Sequence, residues 1–273
     1  MEIILIIFIT SILIAMIISN FVAIKGFLGI KVGIGGGLVV GTVSGFITTS
    51  IYFLIHELNF FIIAIIEIFT IIFMGVFGVM LLFYRDPERM PPDENGIIVS
   101  PADGFIRYIR KFERGTIPEA IKGKSNISIK EIAKTDLIDG SGYIIGITMR
   151  ILDVHVNRAP ISGKVIFQRY IRGKFMSLKS AESDVLNERN TIIIDTGDFR
   201  VGVVQIASRT VRRIESYVKI GDNVRIGQRI GMIKYGSQTD LIIPHIEGLK
   251  ILCKEGENVY GGISIIARYE DFT

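Results

Sequence analysis

Ser237 follows Gly236 in the run Tyr235-Gly236-Ser237-Gln238-Thr239-Asp240, and that dipeptide has a reaction open to it that few others have. A serine hydroxyl held in a strained turn can attack the carbonyl of the residue before it. The product is an ester; β-elimination from it leaves a dehydroalanine, which hydrolyses to an N-terminal pyruvoyl group. Gly236 suits the attack because it has no β-carbon to block the carbonyl and tolerates unusual φ. The plain alternative is a Gly-Ser turn with no chemistry in it. Such a reaction needs a base near neutral pH, which a histidine supplies most readily. The chain has 3 histidines. His56 lies among apolar residues, which leaves His155, in Asp153-Val154-His155-Val156-Asn157-Arg158-Ala159-Pro160, and His245, after Pro244. A histidine in an apolar strand is otherwise a packing residue. Asp103, in Ser100-Pro101-Ala102-Asp103-Gly104, offers a carboxylate to orient and charge a histidine. The same stretch also reads as an ordinary Pro/Asp/Gly turn.

Two unlike parts of the chain must hold these residues. The 273-residue sequence is 49% hydrophobic, and its mean hydropathy of +0.48 is high for a soluble domain. The excess sits in residues 1–84, whose only charged groups are Glu2, Lys25, Lys31, Glu57 and Glu67. Apolar stretches at 3–24, 32–55 and 59–83 are each long enough to cross a bilayer as a helix, so 1–84 reads as a membrane anchor of three transmembrane helices. The first lacks the basic leader and small-residue cleavage site of a signal peptide. In the second, Gly33, Gly37, Gly41 and Gly45 recur every fourth residue, which lets another helix approach closely. Gly35-Gly36-Gly37 leaves a flexible loop as the alternative. Glu67 is costly in lipid and should face a partner helix or an interface. Lys25 and Lys31 at the first loop, and Arg85 and Arg89 after the third span, put the C-terminal part on the cytoplasmic side of the cell membrane.

Residues 85–273 read as one globular domain. Removing the two basic and three acidic residues of 1–84 from totals of 31 and 27 leaves it a net charge of +5. That mild, scattered excess suits an anionic membrane surface and does not argue for nucleic acid. Cys253, the single cysteine, excludes an internal disulfide framework and a cysteine-based zinc site, and it reads as a core residue. Short β-branched runs predict strands at Gly96–Ser100, Gly104–Ile109, Tyr143–Met149, Gly163–Tyr170, Thr191–Asp195 and Val201–Ile206, with Ala181–Leu186 a short turn or loop. The pattern repeats internally. Lys219 to Gly227 echoes Lys254 to Gly262, and Ser100 to Gly104 echoes Ala159 to Gly163. The expected architecture is a mostly-β sandwich or barrel of duplicated hairpins, a pattern shared with lipoyl and biotinyl carrier modules.

Taken together, Phe83-Tyr84-Arg85-Asp86-Pro87-Glu88-Arg89, the Ser-Pro-Ala-Asp-Gly turn and the segment 153–160 resemble the phosphatidylserine decarboxylase proenzymes. Asn187-Glu188-Arg189-Asn190, Val204-Gln205-Ile206-Ala207 with Arg212-Arg213, Gly227–Gly231 and Tyr235-Gly236-Ser237 extend the likeness over about residues 83–267. The form is similar to the short, membrane-anchored branch of that family. The resemblance implies a proenzyme that cuts itself between Gly236 and Ser237 into chains 1–236 and 237–273, with Ser237 becoming a pyruvoyl cofactor. The pyruvoyl carbonyl would form a Schiff base with the amine of a membrane serine phospholipid and act as an electron sink as CO2 leaves. No metal is implied, and a homo-oligomer is left open. Asp103 and His155 would assist the cleavage. Longer relatives carry His-x-x-His-x-Pro here; Arg158 takes the second place, so His155 either does both jobs or shares them with another group. Arg158 and Arg189 could bind the substrate's phosphate or carboxylate with paired donors, or could be structural ion pairs. The isoleucine- and lysine-rich composition hints at an archaeal ether lipid, archaetidylserine.

Two other function classes compete. A pyruvoyl enzyme for a soluble amino acid would not need the membrane spans. A membrane-tethered carrier or adaptor would need an exposed lysine between methionines at a hairpin tip, and Met232-Ile233-Lys234-Tyr235 is a poor copy of that.

Overall fold

The computed structural model describes residues 2–26, 28–55, 58–113, 116–117, 127–128, 132–133, 135, 137–138, 140–173, 187–207, 214–234 and 237–270. His56, Glu57, Ala181–Leu186, Arg212-Arg213, Tyr235 and Gly236 lie outside them. The chain divides into two compact units, residues 1–85 and 86–273.

The first unit is three helices, α1 (Glu2–Lys25), α2 (Ile30–Leu54) and α3 (Phe60–Phe83), each long and apolar enough to cross a membrane. No loop interrupts α2 at its triple glycine. The glycine ladder forms a buried stripe against α1: a β-carbon on Gly37 would stand 2.5 Å from the Met16 Cα, and one on Gly41 2.6 Å from that of Ile12. The helices can lie this close only because those positions carry no side chain. Glu67 of α3 is buried, and its Oε1 accepts from the hydroxyls of Thr10 (2.6 Å) and Ser11 (2.7 Å) of α1. A polar group in an apolar bundle is thereby given its partners inside the protein.

The second unit is built from β1 (Ile97–Val99), β2 (Gly104–Phe112), β3 (Thr116–Ile117), β4 (Ile127–Ser128), β5 (Gly142–Met149), β6 (Val156–Arg158), β7 (Gly163–Ile171) and β8 (Arg189–Asp195). It continues with β9 (Arg200–Ala207), β10 (Ile214–Ser216), β11 (Asn223–Val224), β12 (Arg229–Ile233), β13 (Ser237–Pro244), β14 (Lys250–Ile251), β15 (Asn258–Val259) and β16 (Ile265–Arg268). Eight strands form one antiparallel sheet in the order β11-β7-β8-β9-β13-β5-β2-β15, and two three-stranded sheets run β1-β16-β14 and β10-β12-β6. Ile145, Ile147, Ile192, Val203, Leu241 and Ile243 of the large sheet share one core with Ile98, Ile230, Ile233 and Ile266 of the small sheets, which makes a sandwich. Ile144, Ile193, Val204 and Ile242 face the other way, into a second core capped by Ile132 and Ile138.

The sequence repeat is a structural duplication. The large sheet reads alike from both ends when β15 is matched with β11, β2 with β7, β5 with β8 and β13 with β9. β2 and β7 are both 9 residues long and slip register at the same step, Ile106/Tyr108 and Val165/Phe167. Gly256 donates to Ile106 at 2.7 Å as Gly221 does to Val165 at 2.8 Å; Gly262 donates to Ser100 as Gly227 does to Ala159, both at 2.8 Å.

Candidate active site

β13 is the strand about which the site is arranged. It is paired along its length, with β5 on one side and β9 on the other, and its first residue, Ser237, stands opposite Met149 and Ala207. Three segments converge on that end of the sheet. β12 finishes at Ile233, whose N–H donates to the carbonyl of His155 at 3.2 Å. The turn 101–103 is tied to β6 by Arg158 N–H donating to the Pro101 carbonyl at 2.8 Å. Gly104, at φ 143°, lies so close to the Thr148 carbonyl that a β-carbon would collide with it. The structure thus brings the segments of Asp103, His155 and Ser237 to one place.

His155 is fully buried, and its Nδ1 is 2.8 Å from the Asp153 carbonyl. An acceptor there puts the proton on Nδ1 and leaves Nε2 as the basic nitrogen. His245 follows the far end of β13, where its N–H donates to the Ser141 carbonyl at 2.7 Å. At ~3.3 Å per residue, it lies on the order of 25 Å from Ser237. Of the two histidines, only His155 stands at the Ser237 end of β13.

Asp103 is buried, and a different set of partners holds it. Arg89 donates to both carboxylate oxygens, to Oδ1 through Nη1 and to Oδ2 through Nη2 at 2.7 Å, and Gly261 N–H donates to Oδ1 at 2.8 Å. The hydrogen bonds to Asp103 raise the pKa of Arg89 from its ordinary value, so the guanidinium stays charged. The carboxylate is therefore oriented by a fork, the geometry that gives Arg–carboxylate pairs their directionality.

Arg158 and Arg189 are turned inward. Arg158 donates to the Gly227 carbonyl (3.0 Å), the Pro87 carbonyl (2.8 Å) and Asp86 (3.0 Å), and burial lowers its pKa from the ordinary arginine value. Arg189 is fully buried and donates to the carbonyls of Asn187 (3.1 Å) and Ile132 (2.9 Å). Both guanidiniums bind the chain itself.

Sequence reasoning missed a chain of buried amides beside β13. Asn190 donates to Gln205 at 2.8 Å, Gln205 to Asn157 at 2.8 Å, and Asn157 to the Thr239 hydroxyl at 3.3 Å. On the opposite face, Gln238 donates to Asp240 (2.8 Å) and Tyr108 (3.1 Å) and accepts from Arg107 at 2.6 Å. Asn157, Asn190 and Gln205 all fall in quoted motifs, but only their spatial convergence shows them acting as one network. It also missed Arg89 as the partner of Asp103. Among the described residues, no three His, Cys, Asp or Glu side chains are grouped to hold a metal.

Comparison with known proteins adds an independent line. The family model for phosphatidylserine decarboxylase matches residues 76–267. A putative archaetidylserine decarboxylase proenzyme of Methanocaldococcus jannaschii is 44% identical over 185 residues, 68% of this chain and 87% of its own. Another, of Methanothermobacter thermautotrophicus, is 43% identical over 195 residues, 70% of this chain and 80% of its own. A phosphatidylserine decarboxylase proenzyme of Carboxydothermus hydrogenoformans is 36% identical over 192 residues, with coverage of 70% and 80%.

Proposed function

The chain belongs to the phosphatidylserine decarboxylase family, and from that premise we propose that it is a membrane-anchored proenzyme that cuts itself between Gly236 and Ser237 and then converts a serine phospholipid to the ethanolamine phospholipid. The observation that carries this reading is Ser237 heading the central strand β13, with His155 bonded to the end of β12. A residue held by the strand on each side is well suited to carry a covalent cofactor at a fixed point.

In the cleavage, His155 Nε2 takes the hydroxyl proton of Ser237 as Oγ attacks the Gly236 carbonyl carbon. The C–N bond to Ser237 breaks and an ester replaces it. Loss of the Ser237 Cα proton then expels the Gly236 carboxylate and leaves a dehydroalanine, which takes up water and releases ammonia. The Asp153 carbonyl keeps His155 in the required tautomer. Asp103, oriented by Arg89 and Gly261, is the carboxylate that assists the cleavage in this reading. The pyruvoyl group, once formed, offers a carbonyl to the lipid amine and an electron sink for the pair released with CO2. Arg158 and Arg189 belong to the scaffold in this reading. The two relatives named for archaetidylserine favour an ether-linked substrate. The basic residues flanking the spans favour a cytoplasmic catalytic domain.

The test is intact-mass analysis of the full-length protein purified from membranes, beside Ser237→Ala. A C-terminal fragment 237–273 with a blocked, carbonyl-reactive N-terminus, absent from the variant, is expected. One uncut, folded chain would remove the cofactor and overturn the reading. Release of labelled CO2 from ester- and ether-linked serine lipids then tells which lipid is used.

A further inference from the structure

The segment between α3 and β1 makes more ionic contact than a linker needs. Asp86 binds Arg158 at 3.0 Å and also Arg229, and Glu88 binds Arg229 at 2.6 Å. The Pro87 carbonyl accepts from Arg158 at 2.8 Å. Pro91 lies against Gly227, which has φ 76° and no room for a β-carbon. The chain is therefore fixed on both sides of Arg89. From there Arg89 reaches both oxygens of Asp103, and its Nη1 also donates to the Gly261 carbonyl at 2.8 Å.

The duplication supplies an internal control for what this arrangement is for. Ser162 occupies the repeat position of Asp103, and Ile226 that of Gly261. The Ser162 hydroxyl accepts from Ile226 N–H at 2.8 Å, just as Asp103 accepts from Gly261 N–H at 2.8 Å. Capping this turn therefore requires one neutral oxygen. A buried carboxylate with a guanidinium on it carries a desolvation cost that a hydroxyl avoids. The fold alone does not call for the ion pair, and the pair stands in the repeat whose turn meets the Ser237 end of the sheet.

We infer that Arg89 is a positioning residue for self-processing, acting through Asp103 by holding its carboxylate in one orientation at the end of the sheet where Ser237 heads β13. Without the fork, Asp103 keeps the Gly261 N–H and loses the donor on its second oxygen. The inference rests on the processing reaction proposed above.

It is tested on the full-length chain synthesised in vitro into detergent micelles, timing the appearance of fragment 237–273. Arg89→Ala is expected to slow it on the order of 100-fold, the scale of losing a well-placed acid–base partner. Guanidinium at non-denaturing concentration should restore about a tenth or more of the lost rate where equal sodium chloride does not, since it can replace the missing fork. Ser162→Ala, which removes the matching cap from the other repeat, should process at the wild-type rate. A folded Arg89→Ala protein that processes normally, or is slow and indifferent to guanidinium, overturns the inference. If Arg89→Ala does not fold, Arg89→Lys decides, because it keeps the charge and loses the fork: slowed processing supports the inference and a wild-type rate overturns it. A wild-type chain that never processes would instead bring down the proposed function, and this inference with it.

Discussion

His155→Ala removes the base proposed for self-processing, so fragment 237–273 should appear on the order of 100-fold more slowly or not at all. His245→Ala should leave the rate unchanged, because its residue stands at the other end of β13. Intact-mass time courses of the two variants check both, and a slow His245→Ala would reverse the assignment. Residue type alone leaves these histidines level; the family resemblance chooses His155, and the pairing of β13 puts His245 at the far end of the strand. The sequence reads Arg158 as either a phosphate or carboxylate binder or a structural ion pair; among the described residues its guanidinium donates to Gly227, Pro87 and Asp86. Arg158→Met should therefore cost on the order of 2–3 kcal/mol of stability, the scale of a lost charged hydrogen bond, in denaturant unfolding of the solubilised protein. Cys253 was legible from the start as a core residue. Burial pushes its thiol from 9.0 up to about 11. At pH 8 the folded protein should react with iodoacetamide about 100-fold more slowly than the urea-unfolded chain, as two pH units of lost thiolate require.

At the scale of elements, the helices were easy to read and the central strand was not. Length and hydropathy placed three spans within two residues of the observed helices at each end, and four-residue glycine spacing allowed a close approach by another helix, which is α1. What spacing could not show was that Glu67 would be satisfied by Thr10 and Ser11, some 56 residues earlier in the chain. β13 escaped because Gln238, Thr239 and Asp240 read as a polar turn after Gly236. All three are fully buried; Gln238 bonds to Tyr108 of β2, Thr239 to Asn157 of β6, and Asp240 to Gln238 beside it, so the strand signal is broken where the site is built. The glycine stripe gives a contrast between neighbouring positions of one helix. Gly41→Leu must force its side chain against the backbone of Ile12, which should cost about 1–3 kcal/mol. Gly35→Ala meets nothing within 4 Å and should gain up to ~1 kcal/mol from helix propensity. Thermal unfolding in detergent followed by helical circular dichroism distinguishes them, and equal effects would mean that the stripe does not carry the packing.

For the whole molecule, the duplication raises the question of what happens once one repeat's chain is cut. The sequence showed it as two echoes, Gly221 with Gly256 and Gly104 with Gly163, but not that the matching halves would share a single sheet. The cut proposed at 236/237 falls between β12 and β13, so the short chain would carry β13, β14, β15 and β16. β13 is flanked by long-chain strands on both sides, and β16 lies between β1 of the long chain and β14. Leu241, Ile242 and Ile243 are fully buried in the two cores, each contributing roughly 1.5–3 kcal/mol against exposure. Removing the short chain would expose the middle of the large sheet, so the two products should behave as one folded body. Native mass spectrometry of the processed protein in mild detergent should give a 1:1 complex of 1–236 and 237–273. The short chain should be released only in the same denaturant transition that destroys the sheet signal in circular dichroism. Loss of the short chain during gentle washing, with the sheet signal intact, would contradict the role of β13 as the strand that closes the domain.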